Sequence, residues 1–144
     1  MRPIDWIKKE VGQVEIAGDE NNPRISWYHT HCKNLGNKAL PDEVPWCSSI
    51  LNAAADECGY KKTDNALAAS WENYGIDTGT YVDEGDIVLL RRPDGGQHVC
   101  LASQRFNKSK DLIFWGIGGN QSNSVCVKKY VTSNIIATRK WIKK

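Results

Sequence analysis

The sequence predicts an α+β domain: N-terminal helices packed on a strongly bent antiparallel β-sheet of about five strands. Three observations carry this. Apolar residues recur at helical spacing up to about Gly75. Beyond it, short runs rich in Val, Ile and aromatics alternate with turn residues. The links between those runs are too short for parallel crossovers, so neighbouring strands run antiparallel, and helices followed by strands make an α+β arrangement. A chain of 144 residues suits a single domain, 1–144, and buries a core without help from metals or disulfides.

The elements follow in order. In "PIDWIKKEVG", Ile4, Ile7 and Val11 share a helix face and Gly12 ends it. "PRISWYHTHC" opens with Pro23 at a first helical turn and runs to about Cys32. Residues 33–45, rich in Gly, Asn and Pro, read as a loop. In "WCSSILNAAADECG", Ile50, Leu51, Ala54 and Ala55 recur at helical spacing and Gly59 sits just past the end. "TDNALAASWENYG" reads as a further helix, capped by Thr63 or Asp64 and stopped by Gly75. The strands are "GDIVLLRR", "HVCLASQRF", "DLIFWGI", "SVCVKKY" and "IIATRKWI", separated by "PDGG", "NKSK", "GGNQSN" and "TSN". Trp6, Trp71, Trp115 and Trp141 are expected to pack the core.

Composition narrows the function. A net charge of +2 is too weakly basic to point to nucleic acid. The last 17 residues, from Lys128, nevertheless carry six Lys or Arg and no Asp or Glu, which reads as a solvated face or as attraction to an anionic surface. No stretch approaches the ~20 apolar residues of a membrane helix, so no membrane insertion is expected. "MRPIDWIKKEVG" lacks the apolar core of a secretory signal. Five cysteines, an odd number without C-x-x-C, suggest a reduced compartment rather than a disulfide framework. His29, His31 and Cys32 have no second ligand pair at a finger-like spacing, so no metal is expected.

One cysteine stands apart. Cys47 lies where a proline-bearing stretch turns into a helix, and a helix start favours the thiolate. Core packing is the ordinary alternative for a lone helical cysteine. Cys58 lies at a helix end, where the dipole disfavours the anion, and Cys100 and Cys126 lie mid-strand as small fillers. His98 opens a strand after the tight turn "DGG", on the rim of a sheet, or is simply a surface histidine beside a turn. There an imidazole can pair with a thiolate and later protonate a leaving amine. An imidazole also needs an acceptor to orient it. "GIGGNQSN" supplies Asn120 and Gln121 after the next strand, although Asn in a Gly-rich turn is also plain turn chemistry.

The order Cys, His, Asn is more specific than its parts, and it is that of papain-like cysteine hydrolases. "PWCSS", "GDIVLL", "HV" and "GGNQSNSV" resemble the small cysteine, histidine-dependent amidohydrolase/peptidase (CHAP) domains related to NlpC-type peptidases. "NNPRISWYH", "DEVPWCSS", "ASWENYG" and "GGNQ" are similar to a phage-associated, endolysin-like branch. The resemblance runs from about Trp6 to Trp141 and leaves little chain for a separate wall-binding domain. It implies cleavage of an amide bond of bacterial peptidoglycan, as amidase or endopeptidase. Cys47 would be the nucleophile, His98 the base and then the acid, and Asn120 the orienter. Trp46, Glu43, Gln97 and Gln121 are expected to line the cleft. No cofactor is expected. The partner implied is peptidoglycan, the expected state a monomer, and the expected location the host bacterial cytoplasm until release to the wall. A secreted antibacterial wall hydrolase, a non-catalytic phage structural or binding domain of the same fold, and an intracellular hydrolase of soluble amides are the alternatives. The chain departs from the family pattern at Ser48, Ser49 and Ile50 after the "WC", and at Gly118, where some relatives place an acid.

Overall fold

A computed structural model describes residues 1–18 and 20–144. Helix α1 (Pro3–Glu10) has Pro in its first turn and buries Ile4, Trp6 and Ile7. Helix α2 (Pro23–Tyr28) is capped by Asn22, whose side chain accepts the Arg24 N–H at 2.9 Å. It tightens at once into a 3₁₀ turn over His29–His31, shorter than the single helix expected to Cys32. Helix α3 (Cys47–Cys58) ends on Gly59 in the left-handed conformation, φ 77°. Every residue of α3 from Cys47 to Ala55 is buried, so this is the central helix of the core rather than a surface one.

The strands are β1 (Tyr81–Val82), β2 (Ile87–Arg91), β3 (Gln97–Ala102), β4 (Phe106–Asn107), β5 (Ile113–Gln121), β6 (Ser124–Val131) and β7 (Ile135–Arg139). Five of them form an antiparallel sheet in the order β6-β5-β3-β2-β7, and β1 pairs with β4 in a separate two-stranded ladder. Both faces of the large sheet are covered. Ile87, Leu89, Val99, Leu101 and Ile117 pack towards the helices, against Ile7, Ile50 and Leu51. Val88, Leu90, Cys100 and Phe114 pack on the other side, beneath Val82 and Phe106 of the small ladder. This explains why "IVLL" is apolar throughout instead of alternating.

Two expectations need correction. The helix expected over 63–75 is only a 3₁₀ turn at Ala68–Trp71. Ahead of that turn the backbone at 64 and 65 bonds to α3 side chains instead of continuing a helix. The Asn65 carbonyl accepts from Ser48 Oγ at 2.6 Å and from Asn52 Nδ2 at 3.1 Å, and the Asp64 N–H donates to Asn52 Oδ1 at 2.9 Å. Asp64 itself is left-handed, φ 58°, which no helix tolerates. Trp115, expected in the core, is 40% exposed on the outer side of β5, opposite Lys129. Trp6 and Trp71 do pack the core, and Trp141 packs against it. Among the described residues, no helix is long and apolar enough to cross a membrane.

Trp46, immediately before α3, is fully buried and stacks on Tyr28 at 5.8 Å between ring centroids. Its indole lies directly against Gly119 of β5, and a Cβ there would overlap the ring. Gly119→Ala is therefore expected to destabilise the fold by about 1–3 kcal/mol through overpacking. Urea unfolding checks this: the midpoint falls while the slope with denaturant stays as in the parent.

Candidate active site

Cys47 is the first residue of α3 and is 6% exposed. The helix starts without a side-chain cap on Trp46, so its first N–H groups lack the usual Ser, Thr, Asp or Asn acceptor. The sulfur takes that place. Burial pushes the Cys47 thiol up. Hydrogen bonding and charge from His98, with backbone bonds from Val99 and Ser48, outweigh the burial and hold the thiol below its ordinary value. Burial acts without such partners elsewhere. It pushes up the thiols of Cys32, where Ser49 is only a partial offset, of Cys58, and of Cys100, where the Cys47 charge adds to it.

His98 is buried on β3, and its Nε2 lies 3.0 Å from Gln121 Oε1. The proton on that bond is fixed by the surroundings of Gln121. The Gln121 Nε2 donates to the Gly116 carbonyl at 3.2 Å and to the Cys126 carbonyl at 2.7 Å. An amide nitrogen has two protons and a carbonyl has none, so both donors of Gln121 are committed and Oε1 is left facing the imidazole. His98 Nε2 therefore carries a proton and donates it. The hydrogen bond to Cys47 falls to Nδ1, which accepts from the thiol or, once protonated, faces the thiolate.

The acceptor for His98 is thus Gln121, not Asn120 as the sequence order implied. A β-bulge makes the difference. Gly118 pairs with Cys126 and Gln121 with Ser124, so β5 has one residue more than β6 between those pairs. Asn120 sits in the bulge with φ 57°, half-buried. The extra residue returns Gln121 to the face shared by His98 and Tyr130, whose rings are 5.6 Å apart. The turn Ser122–Asn123 is left-handed at both positions, φ 51° and 60°, the backbone of a two-residue hairpin.

The remaining expected residues are spread around this centre. Trp46 is packed beneath Gly119 and is no part of an open wall. Gln97 is exposed at the start of β3. Glu43 is exposed and lines a cavity of about 210 Å³ together with Glu15, Asp42 and Asn123. Asp42 is a brace: its Oδ2 accepts the Ile16 N–H at 2.8 Å and the Asn22 N–H at 2.7 Å, tying the loop before Cys47 to the segment before α2. The sequence reading missed a buried polar girdle behind Cys47. Ser48 Oγ accepts from Trp71 Nε1 at 2.8 Å, Ser49 Oγ meets His29 Nδ1 at 2.7 Å, and Asn52 joins Ser48 to Asn65 and Asp64. Its one visible signal was polar residues at 48, 49 and 52 on a helix with no exposed face to put them on.

No group of three or more His, Cys, Asp or Glu able to hold a metal is found among the described residues. Asp19, in "GDENN", lies outside them. Comparison with protein-family models, with curated proteins and with solved structures finds no match for the chain.

The site makes a direct prediction. Alkylation of Cys47 by iodoacetamide, followed by mass spectrometry of the modified peptide, reaches half its maximal rate below the pH ~8.5 of a free thiol. Gln121→Ala moves that midpoint upward, because the imidazole loses its fixed orientation. Asn120→Gly, which keeps the left-handed backbone, leaves it in place.

Proposed function

We propose that the chain is a cysteine hydrolase of papain-like, CHAP-type arrangement that cleaves an amide bond of bacterial peptidoglycan by acyl transfer. The observation that carries the chemistry is the Cys47 thiol held below its ordinary value while buried, by an imidazole whose tautomer Gln121 fixes. The substrate class rests on the resemblance of "DEVPWCSS", "HV" and "GGNQSNSV" to that family.

In this reading the Cys47 thiolate attacks the amide carbonyl carbon. The oxyanion forms beside the Cys47 N–H, which at the first helical position has no acceptor within α3. His98 carries the proton at Nδ1 and gives it to the departing amine, so the C–N bond breaks and a thioester remains. Water gives a proton to the now neutral Nδ1 and attacks the thioester, which releases the acid and leaves the Cys47 thiolate beside the protonated ring. Gln121 touches no reacting atom. It is a positioning residue that keeps Nδ1 turned to the sulfur through both half-reactions. As a neutral amide it supplies orientation without a negative charge beside the ring.

The test is solubilisation of purified peptidoglycan sacculi by the parent and by Cys47→Ala. The parent is expected to clear the suspension and the variant to lose at least about 10³-fold of the rate, as removal of a covalent nucleophile does. Mass spectrometry of the released muropeptides then places the cut, because each amide bond leaves a different new amino terminus. Equal clearing by both proteins would remove Cys47 from the mechanism. Activity on soluble amides with none on sacculi would move the substrate to an intracellular peptide or small amide.

A further inference from the structure

Behind His98 lies a cavity of about 290 Å³ that the mechanism above does not use. Its wall includes His98 and Gln121, but Cys47 lies outside it. The rest of the wall comes from the end of β2, the turn after it, Asn120, residues 128–131 at the end of β6, and Asn134. Its charge is one-sided: Arg91, Arg92, Lys128 and Lys129 line it, with no Asp or Glu. Two of these cations lie on elements that flank the imidazole. Lys128 precedes Tyr130 by two residues on β6, hence shares its face, and the Tyr130 ring lies 5.6 Å from that of His98. Arg92 folds over the β2–β3 turn against Gly96, two residues before His98. Arg92 Nη2 touches the exposed Asp94 at 3.3 Å, while its Nε is buried and has no partner. Four cations around one cavity, with Asp94 exposed and outside its wall, leave an excess of positive charge there that suits an anion.

We propose that this cavity is a subsite for a carboxylate carried on the leaving-amine side of the scissile amide, with Arg92 and Lys128 as the groups that bind it. The inference rests on the hydrolase reading and deepens it. The acyl part of a substrate stays on Cys47, and the amine departs past the group that protonates it, which is His98. The chain that follows the scissile nitrogen therefore runs along the His98 side, into the cavity. Each residue of extended peptide spans ~3.3–3.6 Å, so a carboxylate about one or two residues beyond the amide falls among the cations. Planar, bidentate recognition of a carboxylate is what a guanidinium does best, and the ammonium of Lys128 adds a second charge. The site selects acidic over amidated or neutral segments on that side of the cut.

The test uses diglycine and diglycinamide, which present the same leaving amine and differ only in the terminal carboxylate. Each is titrated as a protectant of Cys47 against the neutral reagent iodoacetamide, with the rate in the absence of peptide as the reference for each protein. In the parent, diglycine is expected to protect at about ten-fold lower concentration than diglycinamide, equivalent to about 1.4 kcal/mol. In Arg92→Gln/Lys128→Gln the two should protect within about two-fold of each other. Should the double variant not fold, the parent supplies the same readout. Raising salt from about 0.02 M to about 0.5 M should shrink the difference, because both cations are reached from solvent. Equal protection by acid and amide in the parent, no protection by either, or an unchanged ratio in the variant overturns the subsite and leaves the thiolate chemistry intact. A Cys47 that alkylates only as an ordinary thiol would sink the hydrolase reading instead, and the subsite with it.

Discussion

A sulfur that is almost wholly covered has every reason to stay a thiol, and the site exists only because one imidazole is prevented from turning. That constraint is the Gln121–His98 bond. Were the ring free to flip, Nε2 and Nδ1 would exchange roles, and the sulfur would face an N–H or a lone pair by chance. The carbonyls of Gly116 and Cys126 remove the choice, since they consume both donors of the Gln121 amide and leave only its oxygen for the ring. The proton on Nε2 is thus set by backbone carbonyls two steps away. The orienter contributes no charge, so the anion at Cys47 depends all the more on the hydrogen bonds from His98, Val99 and Ser48.

The fold supplies this constraint at a place where the sheet opens. The register between β3 and β5 covers only Leu101–Ile117 and Ala102–Gly116. Towards His98 and Gln121 the ladder lapses, and the side-chain bond between those two residues takes over the link between the strands. The start of α3 sits against this opening, with Trp46 seated on Gly119 and the polar girdle of Ser48, Ser49 and Asn52 tying its first turns to 63–71 and to the 3₁₀ turn at His29–His31. Rotation of α3 about its own axis would break buried hydrogen bonds on one side and drive the indole into β5 on the other. Cys47 is held by both kinds of contact at once, which is what a site tolerant of little misplacement needs.

Much of this was legible in the sequence, and the misreadings have physical causes. The start of α3 follows from apolar spacing after a proline-bearing stretch. His98 follows from a histidine placed between a tight turn and an apolar run. The step from Asn120 to Gln121 was not legible, because strand alternation counts residues in twos and a bulge adds one without changing the composition. A left-handed Asn120 between Gly119 and a turn looks the same in sequence whether or not the ladder slips there. The segment 63–75 failed differently. Its helical spacing is real, but Asn52 and Ser48, on another element, take up the groups that its first turn would have needed. Propensity lost to a tertiary partner that no local window contains.

Glu15, Asp42 and Glu43 line one cavity at the segment that leads into Cys47, and they pose an electrostatic question, because negative charge opposes a thiolate. Each is disarmed in its own way. Asp42 spends its charge on the Ile16 and Asn22 N–H groups, whose dipoles partly cancel its field towards Cys47. Glu15 is pushed up by burial, with the Asp42 and Glu43 charges adding and the Trp46 indole N–H only partly opposing them, so it binds a proton more readily than an exposed glutamate. Glu43 is exposed, where water and salt screen it. The same three residues thus leave the lowering of the Cys47 thiol in place while giving the segment before α3 an acidic rim, and the cavity behind His98 has a basic one. In the proposed hydrolase a substrate lying across both would be oriented before any bond is made, its cationic end towards Glu43 and its anionic end towards Arg92. Orientation by opposed charges needs no preformed pocket of exact shape, and in a chain this short it is the means of selection that takes the least structure to build.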